Sequence, residues 1–417
     1  MTAPYTSPLA EELAPGLLER FDRYVRIFTT SDRDGPGTPS TPGQFDLARL
    51  LVEELRALGL QDAAVDEHCY VTATLPGDGP AIGLIAHVDT SPDAPGEGVE
   101  PIVHRAYDGG VITLPRGGTI LDPERMPELR EAVGHDVVTW SGDTLLGADD
   151  KAGVAAIMTA VAHLAAHPEL PRPTLKVCFT PDEEIGSGAG LLDLEAFGAR
   201  FAYTVDGSTR GELQDETFTA AEATITITGH DVHPGFATGK LVNAARLAAE
   251  VVAALPADRT PEATSGRDGF IHVYDMRATA GQAEIRAILR DFDDDLLAGH
   301  ADVVRATAAQ VAAGEPRATV DVQVRPQYPN MRRFLEPHPE IVGKAEAAIR
   351  AEGIEPLRTP IRGGTDGSLL SARGLPTPNL FDGGHEYHSV REWASLQDMA
   401  AAAAVLVRLA GEWAGER

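Results

Sequence analysis

Short apolar segments alternate with helical ones in the first half of the chain, and this alternation restricts the possible folds more than any other feature. The segments "AIGLIAHV", "TLKVCFT" and "FAYTV" read as strands, and the stretch from Ala152 to about Ala166 between the first two reads as a helix. Such alternation is typical of a largely parallel sheet with helices packed on it. The sequence therefore predicts an α/β fold.

The pattern changes near Glu222. Six further segments read in turn as strand, helix, strand, strand, helix and strand: "EATITITG", "NAARLAAEVVAAL", "GFIHVY", "AEIRAIL", about 294–313, and "RATVDVQV". The order β-α-β-β-α-β is that of a ferredoxin-like unit. Because "GLPTPNLF" and the closing alanine-rich helix return to the first pattern, we expect an inserted domain over 216–328, between two parts of the α/β domain at 1–215 and 329–417.

Charge and cysteine content narrow the classes of partner and site. With 35 Lys and Arg against 63 Asp and Glu, the 417-residue chain has a net charge of −28, which argues against nucleic acid or an anionic membrane as partner. The chain has 2 cysteines, so a metal would have to be held by histidine and carboxylate. The N-terminal sequence lacks the pattern of a signal peptide, and no apolar run approaches the ~20 residues of a membrane span. We expect a cytoplasmic protein.

Five groups of polar residues lie at the ends of the predicted strands of the α/β domain or, for one group, just before the start of a helix. They are His87 and Asp89, Asp149 and Asp150, Asp182 to Glu184, Asp206, and His385 with His388. Taken singly, each has an ordinary explanation: a hydrogen-bonded core histidine, a helix N-cap, solvated glutamates, a turn or a surface histidine. Ligand sites in open α/β sheets lie at the carboxyl ends of the strands, so a shared site explains all five together. The clustered carboxylates would repel one another, and bound divalent cations would remove that repulsion.

The motifs "AHVDTSPD", "LLGADDKAG", "PDEEIGSG", "VDGS", "HPG" followed by "NAA", "RGGTDG" and "EYH" resemble those of the M20 family of co-catalytic metallopeptidases. The similarity spans nearly the whole chain, in the family's order and spacing, and is greatest to the family's tripeptide aminopeptidase branch. The resemblance implies a zinc-peptidase catalytic domain and an inserted lid domain. It also implies two Zn²⁺ ions per subunit, short peptides (tripeptides first) as substrates, and a possible homodimer formed through the lid.

The resemblance also implies roles for individual residues. His87 and Asp206 would bind one zinc ion, and Glu184 and His388 the other, with Asp149 bridging the two. Asp149 is chosen over Asp150 because the family pattern is Asp-x-Lys. Asp89 would assist catalysis by orienting His87, and Glu183 would be the general base.

Four residues are expected to contact the substrate. His233 in "DVHPG" resembles the family's lid histidine. Arg290 in "LRDFD" and Arg362 in "RGGTDG" are candidates for binding a peptide C-terminal carboxylate, because guanidinium binds carboxylate in bidentate fashion; the alternative for each is a surface salt bridge. Asn330 in "QYPNM" lies at a position typical of the branch.

One other kind of function remains open from the sequence, and two more are disfavoured. A dipeptidase or an N-acyl amino acid deacylase would use the same metal site, and a non-catalytic metal-binding protein would keep the scaffold. Glu183 argues against the latter, because a scaffold needs no general base. A dinucleotide-dependent dehydrogenase is disfavoured because no G-x-G-x-x-G opens a helix after a strand.

Overall fold

The computed structural model describes residues 4–415. These residues form eleven α-helices: α1 Pro8–Val25, α2 Gln44–Ala57, α3 Pro127–Glu131, α4 Ala148–Ala166, α5 Leu194–Phe197, α6 Ala244–Ala254, α7 Asp294–Gly314, α8 Arg332–Leu335, α9 Pro339–Ala351, α10 Asp366–Ala372 and α11 Leu396–Trp413. They also form eighteen β-strands: β1 Ala64–Val65, β2 Val71–Leu75, β3 Ala81–His87, β4 Ile102–His104, β5 Ile112–Thr113, β6 Ile120–Leu121, β7 Val137–Thr139, β8 Thr174–Thr180, β9 Phe201–Gly207, β10 Glu212–Gln214, β11 Thr219–Thr228, β12 Phe270–Ala278, β13 Gln282–Asp291, β14 Thr319–Tyr328, β15 Leu357–Arg358, β16 Asn379–Phe381, β17 Gly384–His385 and β18 Trp393–Ser395.

The chain divides into two compact units. Unit 1 comprises residues 4–215, 333–359 and 365–415, and unit 2 comprises Glu216–Arg332 with Pro360–Gly364. Among the described residues, no helix has both the length and the apolar character needed to cross a membrane.

The large sheet of unit 1 is mixed, and four of its seven strand pairings are parallel. Its strand order is β1-β2-β8-β3-β9-β16-β10-β15. The central strands β8, β3, β9 and β16 are parallel, as is the edge pair β10/β15, whereas the pairs β1/β2, β2/β8 and β10/β16 are antiparallel. Parallel neighbours need a crossover of about a dozen residues or more, so strands joined by a short turn, such as β1 and β2, cannot be parallel. Unit 1 also contains an antiparallel sheet of order β17-β18-β7-β4 and the small pair β5-β6.

Helix α4 lies at the centre of unit 1. Val154, Ile157 and Val161 are all fully buried, because α4 contacts β3 and β9 as well as α1 and α11. A helix that is apolar on every side is expected only in such an environment. The approach to β9 is close at Gly153, where a Cβ atom would lie 1.9 Å from the carbonyl oxygen of Val205. The glycine of "DDKAG" is therefore required by packing.

Unit 2 contains a four-stranded antiparallel sheet of order β12-β13-β11-β14, with elements in the chain order β-α-β-β-α-β. Helices α6 and α7 pack against it around a core that includes Ile225, Ile285 and Val304. Strands β12 and β13 are longer than the sequence indicates and take up most of "DMRATAGQ", a segment whose composition favours a connecting loop. The register places Asp275 opposite Arg286 and Arg277 opposite Glu284, whereas the ion pairs of these residues run along each strand, from Arg277 to Asp275 (3.2 Å) and from Arg286 to Glu284 (2.9 Å).

Candidate metal centre

The carboxyl ends of three neighbouring parallel strands bring polar side chains to one edge of the large sheet. His87 is the last residue of β3 and pairs with Thr180, the last residue of β8. Glu183 and Glu184 follow β8 in a 3-10 turn, and Asp206 lies near the end of β9. The polar residues that the sequence places after these strands therefore meet at one edge.

Asp149, close to the start of α4, lies between two histidines. Its Oδ1 is 2.9 Å from Nε2 of His87, and its Oδ2 is 3.2 Å from Nε2 of His388. Each histidine also faces a second carboxylate: Nε2 of His87 is 3.7 Å from Oδ1 of Asp206, and Nε2 of His388 is 2.8 Å from Oε2 of Glu184. All five residues predicted as ligands are thus together, with one carboxylate shared between two pairs.

The neighbouring Asp150 has different partners. Its carboxylate is buried and accepts hydrogen bonds from the backbone N–H groups of His87 (3.0 Å) and Gly153 (3.2 Å). It thereby joins the start of α4 to the end of β3. The peptide bond between Asp149 and Asp150 is cis. These contacts favour Asp149, rather than Asp150, as the shared carboxylate.

Asp89 is buried and fixes two parts of the centre. Its carboxylate accepts hydrogen bonds from the backbone N–H groups of Glu183 (3.0 Å) and Glu184 (3.2 Å). Its Oδ1 is 3.3 Å from Nδ1 of His87, and its own carbonyl oxygen is 3.1 Å from that nitrogen. Asp89 therefore contacts both the His87 ring and the turn that carries the two glutamates.

In the absence of a cation, burial and mutual repulsion disfavour the ionised form of several carboxylates in the cluster. Burial, followed by the charge of Asp149, raises the pKa of Glu184 to about 8, and burial raises the pKa of Asp206 to about 6. Burial alone would lower the pKa of His388, but hydrogen bonds to Asp149 and Glu184 raise it to about 11. The same hydrogen bonding of Asp149 to His388 and His87 keeps the pKa of Asp149 low despite its burial.

The donor atoms of this histidine–carboxylate cluster are close enough together to be ligands of a metal ion. One donor atom each from His87, Asp149 and Glu184 lie within 4.8 Å of one another, as do one each from His87, Asp150 and Asp206. Among the described residues, the buried Oε1 of Glu184 has no hydrogen-bond partner, and a buried polar atom without a partner is costly. Imidazole nitrogen and carboxylate oxygen are ligands that suit Zn²⁺.

Glu183 lies beside the predicted ligands but does not pair with the histidines. Its carboxylate makes no hydrogen bond or ion pair with the described residues. Burial, together with the charges of Asp206, Asp366 and Glu184, raises the pKa of Glu183 well above its ordinary value, although His87 opposes the shift. A carboxylate in these surroundings can accept a proton readily.

Two buried carboxylates that the sequence analysis did not assign hold the backbone of the centre. Glu392 accepts hydrogen bonds from the backbone N–H groups of Leu146 (2.7 Å), Gly147 (2.8 Å) and Asp149 (3.0 Å). Asp182 accepts hydrogen bonds from the backbone N–H and the hydroxyl of Ser40 and from the Gln44 amide. Asp182 carried a signal, as the first carboxylate of "PDEE", but Glu392 is isolated in the sequence and only the fold brings it to residues 146–149.

The four predicted substrate residues lie in unit 2. His233 is largely exposed and caps a 3-10 turn, with its Nδ1 accepting from the N–H of Gly235 at 3.1 Å. Asn330 is buried, and its Oδ1 accepts from the N–H groups of Thr217 (3.3 Å) and Arg332 (2.9 Å). These contacts give Asn330 a role in holding the backbone of unit 2.

Arg290 and Arg362 bind backbone carbonyl groups of unit 2 rather than carboxylates. Arg290 donates to the carbonyls of Leu289 (3.0 Å) and Ala221 (3.3 Å). Arg362 donates to the carbonyls of Gly266 and Asp268, both at 2.8 Å. Neither arginine has a carboxylate partner among the described residues, so the alternative of a surface salt bridge does not apply.

Comparison with known proteins identifies the class. The sequence matches the pattern of "Peptidase family M20/M25/M40" over residues 146–412. A protein named Peptidase T from Aeromonas salmonicida is 47% identical over 405 residues, which cover 96% of this chain and 99% of that protein. Peptidase T of Bacillus subtilis is 45% identical over 402 residues, covering 95% and 98% of the two chains.

Solved structures agree on the fold. Aminopeptidase PepT from Bacillus cereus matches with a TM-score of 0.73 at 22% identity, covering 96% of this chain and 98% of that one. The YXEP protein of Bacillus subtilis, described as a dinuclear metal-binding peptidase of the M20 family, matches with a TM-score of 0.63 at 15% identity and covers 96% and 98% of the two chains.

The chain belongs to peptidase family M20/M25/M40. Several near-full-length relatives carry the name Peptidase T, which confirms both the resemblance seen in the sequence and the prediction of a peptide-bond hydrolase. Family membership and the clustered imidazoles and carboxylates together support metal use.

Proposed function

We propose that this protein is a metal-dependent aminopeptidase that releases the N-terminal residue of tripeptides and uses two Zn²⁺ ions per chain. The observation that carries the proposal is the carboxylate of Asp149, which lies between His87 at 2.9 Å and His388 at 3.2 Å. The relatives named Peptidase T, and a matching Staphylococcus aureus structure described as a tripeptidase, support the substrate class.

The proposed ligand sets follow the two histidine–carboxylate pairs. His87 and Asp206 would hold one ion and His388 and Glu184 the other, with Asp149 shared between them. When bound, the ions would polarise the scissile carbonyl and lower the pKa of a water molecule toward ~7.

Glu183 is the proposed general base. It takes the proton of the attacking water and delivers it to the leaving amine, and its raised pKa suits a group that must hold a proton between these steps. Asp89 keeps Glu183 in place by binding the N–H of that residue and keeps the His87 ring oriented. Glu392 keeps Asp149 in place by binding its N–H.

The remaining parts of the proposal concern unit 2 and the assembly. The β-α-β-β-α-β region, with predicted bounds 216–328 between 1–215 and 329–417, is proposed to be an inserted ferredoxin-like lid. His233, Arg290, Asn330 and Arg362 are proposed to contact the peptide. A homodimer formed through the lid and a cytoplasmic location complete the proposal.

The test is hydrolysis of a panel of tripeptides, measured before chelation, after chelation and after zinc is added back. We expect activity to disappear with chelation and to return with zinc. Full activity after complete metal removal, verified by elemental analysis, would contradict the proposal. The same panel with N-acetylated peptides distinguishes the alternative, because an aminopeptidase needs the free amine whereas an N-acyl amino acid deacylase does not.

A further inference from the structure

Glu12, His163 and His167 form a second cluster of metal-binding side chains in unit 1. One donor atom from each lies within 4.8 Å of the other two. His163 and His167 are four residues apart at the end of α4 and therefore face the same side of the helix, with ring centroids 4.5 Å apart. Glu12 belongs to α1, and its Oε1 is 3.6 Å from Nδ1 of His163. Two helices thus contribute to one cluster.

The residues around the cluster are arranged like those that surround the ligands of a bound metal ion. Oε1 of Glu169 is 3.0 Å from Nδ1 of His167, which leaves the other ring nitrogen available, and an outer carboxylate commonly orients a ligating histidine in this way. The His163 side chain is only 11% exposed, whereas that of Glu12 is 64% exposed. One ligand is therefore fixed by packing, and the opposite side of the cluster is open to water.

An ordinary ion pair between Glu12 and His163 does not account for this arrangement. Such a pair with an exposed partner contributes little to stability, and it gives no role to the second imidazole, which lies beside the first with the ring planes tilted by 35°. We propose instead that Glu12, His163 and His167 bind one divalent transition-metal ion that joins α1 to α4. Two imidazoles and a carboxylate suit Zn²⁺, Cu²⁺ or Ni²⁺, whereas Mg²⁺ and Ca²⁺ prefer oxygen ligands alone.

This site is separate from the candidate metal centre. From Lys151 at the start of the regular part of α4 to His163, the helix rises about 18 Å. None of its three ligands contacts the residues proposed to bind or hydrolyse the peptide. The inference goes beyond the proposed function, and either can fail without the other.

Zinc itself is the probe for the test. The chelator-treated full-length chain is dialysed against buffered free Zn²⁺, and bound zinc per chain is measured together with tripeptide hydrolysis. The variants are His167→Ala and Glu12→Gln, both at partly or fully exposed side chains. The control is Glu19→Gln, which removes the same charge from an exposed position of α1, two turns from Glu12.

We expect the unsubstituted chain and Glu19→Gln to bind one more zinc ion per chain than His167→Ala and Glu12→Gln. Hydrolysis at zinc concentrations that saturate the candidate metal centre should be equal in all four. Zinc content in either variant equal to that of the unsubstituted chain would overturn the three-ligand site. If His167→Ala fails to fold, Glu12→Gln still decides the test, because it changes only an exposed side chain.

Discussion

Glu183 and Glu184 are adjacent in the sequence but have different surroundings. Oε2 of Glu184 contacts His388 at 2.8 Å, whereas the Glu183 carboxylate makes no hydrogen bond or ion pair with the described residues. Both backbone N–H groups bind Asp89, so the turn is fixed while the two side chains differ in their partners. At the scale of the residue, the two carboxylates can therefore be separated by experiment.

Glu183→Gln should abolish most activity without loss of metal. Glutamine is nearly isosteric but cannot accept a proton at neutral pH, so kcat should fall by at least the ~10²–10⁴ that general base catalysis contributes, with little change in KM. Glu184→Gln is the matched comparison and should lower the zinc content as well. A Glu183→Gln protein that loses metal but keeps its turnover per bound metal pair would reverse the two assignments.

Arg362→Ala tests recognition of the peptide carboxylate. If Arg362 binds that group, KM should rise about tenfold or more for tripeptides and much less for the same peptides amidated at the C-terminus, because charge-assisted bidentate pairs are strong. Arg362 also donates to the carbonyls of Gly266 and Asp268. Equal losses on both substrates would assign Arg362 to holding that segment.

At the scale of secondary-structure elements, the segment that leads into α4 depends on a carboxylate from a distant part of the chain. Glu392 precedes β18, and its two oxygens accept three backbone N–H groups from residues 146–149. Burial raises the pKa of Glu392 to about 7. The position of Asp149 between the two histidines therefore rests on Glu392 as well as on α4.

Glu392→Gln should weaken metal binding. An amide offers one acceptor oxygen, so at least one of the three N–H groups would face an NH₂ group, at a cost of about 1–3 kcal/mol in stability. Loss of a group that orients a ligand typically lowers metal affinity about 10–100-fold, and the zinc concentration for half-maximal activity should rise accordingly. Glu386→Gln is the control, because Glu386 is paired with Arg391 and makes no hydrogen bond or ion pair with residues 146–149 in the described part of the chain. Equal zinc dependence in both variants would contradict the role of Glu392.

At the scale of the whole molecule, the metal-free chain carries an unfavourable concentration of negative charge. The net charge is −28, and the pKa values of Glu184 and Asp206 are raised to about 8 and about 6 by burial first of all. Between the ordinary and the raised values, the folded chain retains protons that the unfolded chain has lost. The stability due to these two groups is present at low pH and is lost as the pH rises through about 6 and about 8.

The melting temperature of the chelated protein should therefore fall by a few degrees between about pH 5 and about pH 8.5. Zinc should reduce this decrease, because bound cations stabilise the ionised carboxylates. Differential scanning calorimetry of the chelated chain and of Glu184→Gln provides the measurement, and the variant should show a shallower dependence. A melting temperature that rises over the same range in the chelated protein would contradict the expected direction of the pH dependence.

Much of the fold and of the site could be predicted because it is encoded locally. The apolar run that ends in His87 and the helical pattern that begins after Asp149 are each visible within a few residues of sequence. The carboxyl ends of such strands then indicate where the ligand-binding side chains lie. The antiparallel outer strands of the large sheet could not be predicted in the same way, since pairing depends on which strands become neighbours. The full length of the β12–β13 hairpin could not be predicted either, because it depends on the pairing of the two strands with each other and of β13 with β11 rather than on a local pattern.

By itself, the sequence determined the class of the enzyme and the five clustered ligand candidates, because its motifs resemble those of the family in order and spacing. Only the tertiary structure decided how they are held. Glu392 reaches residues 146–149 across 243 positions of sequence, and Pro360–Gly364 belongs to unit 2 although it follows a return to unit 1. The physical reason is that a buried hydrogen bond or a packed side chain depends on proximity in space, and no local pattern records a partner that lies hundreds of residues away.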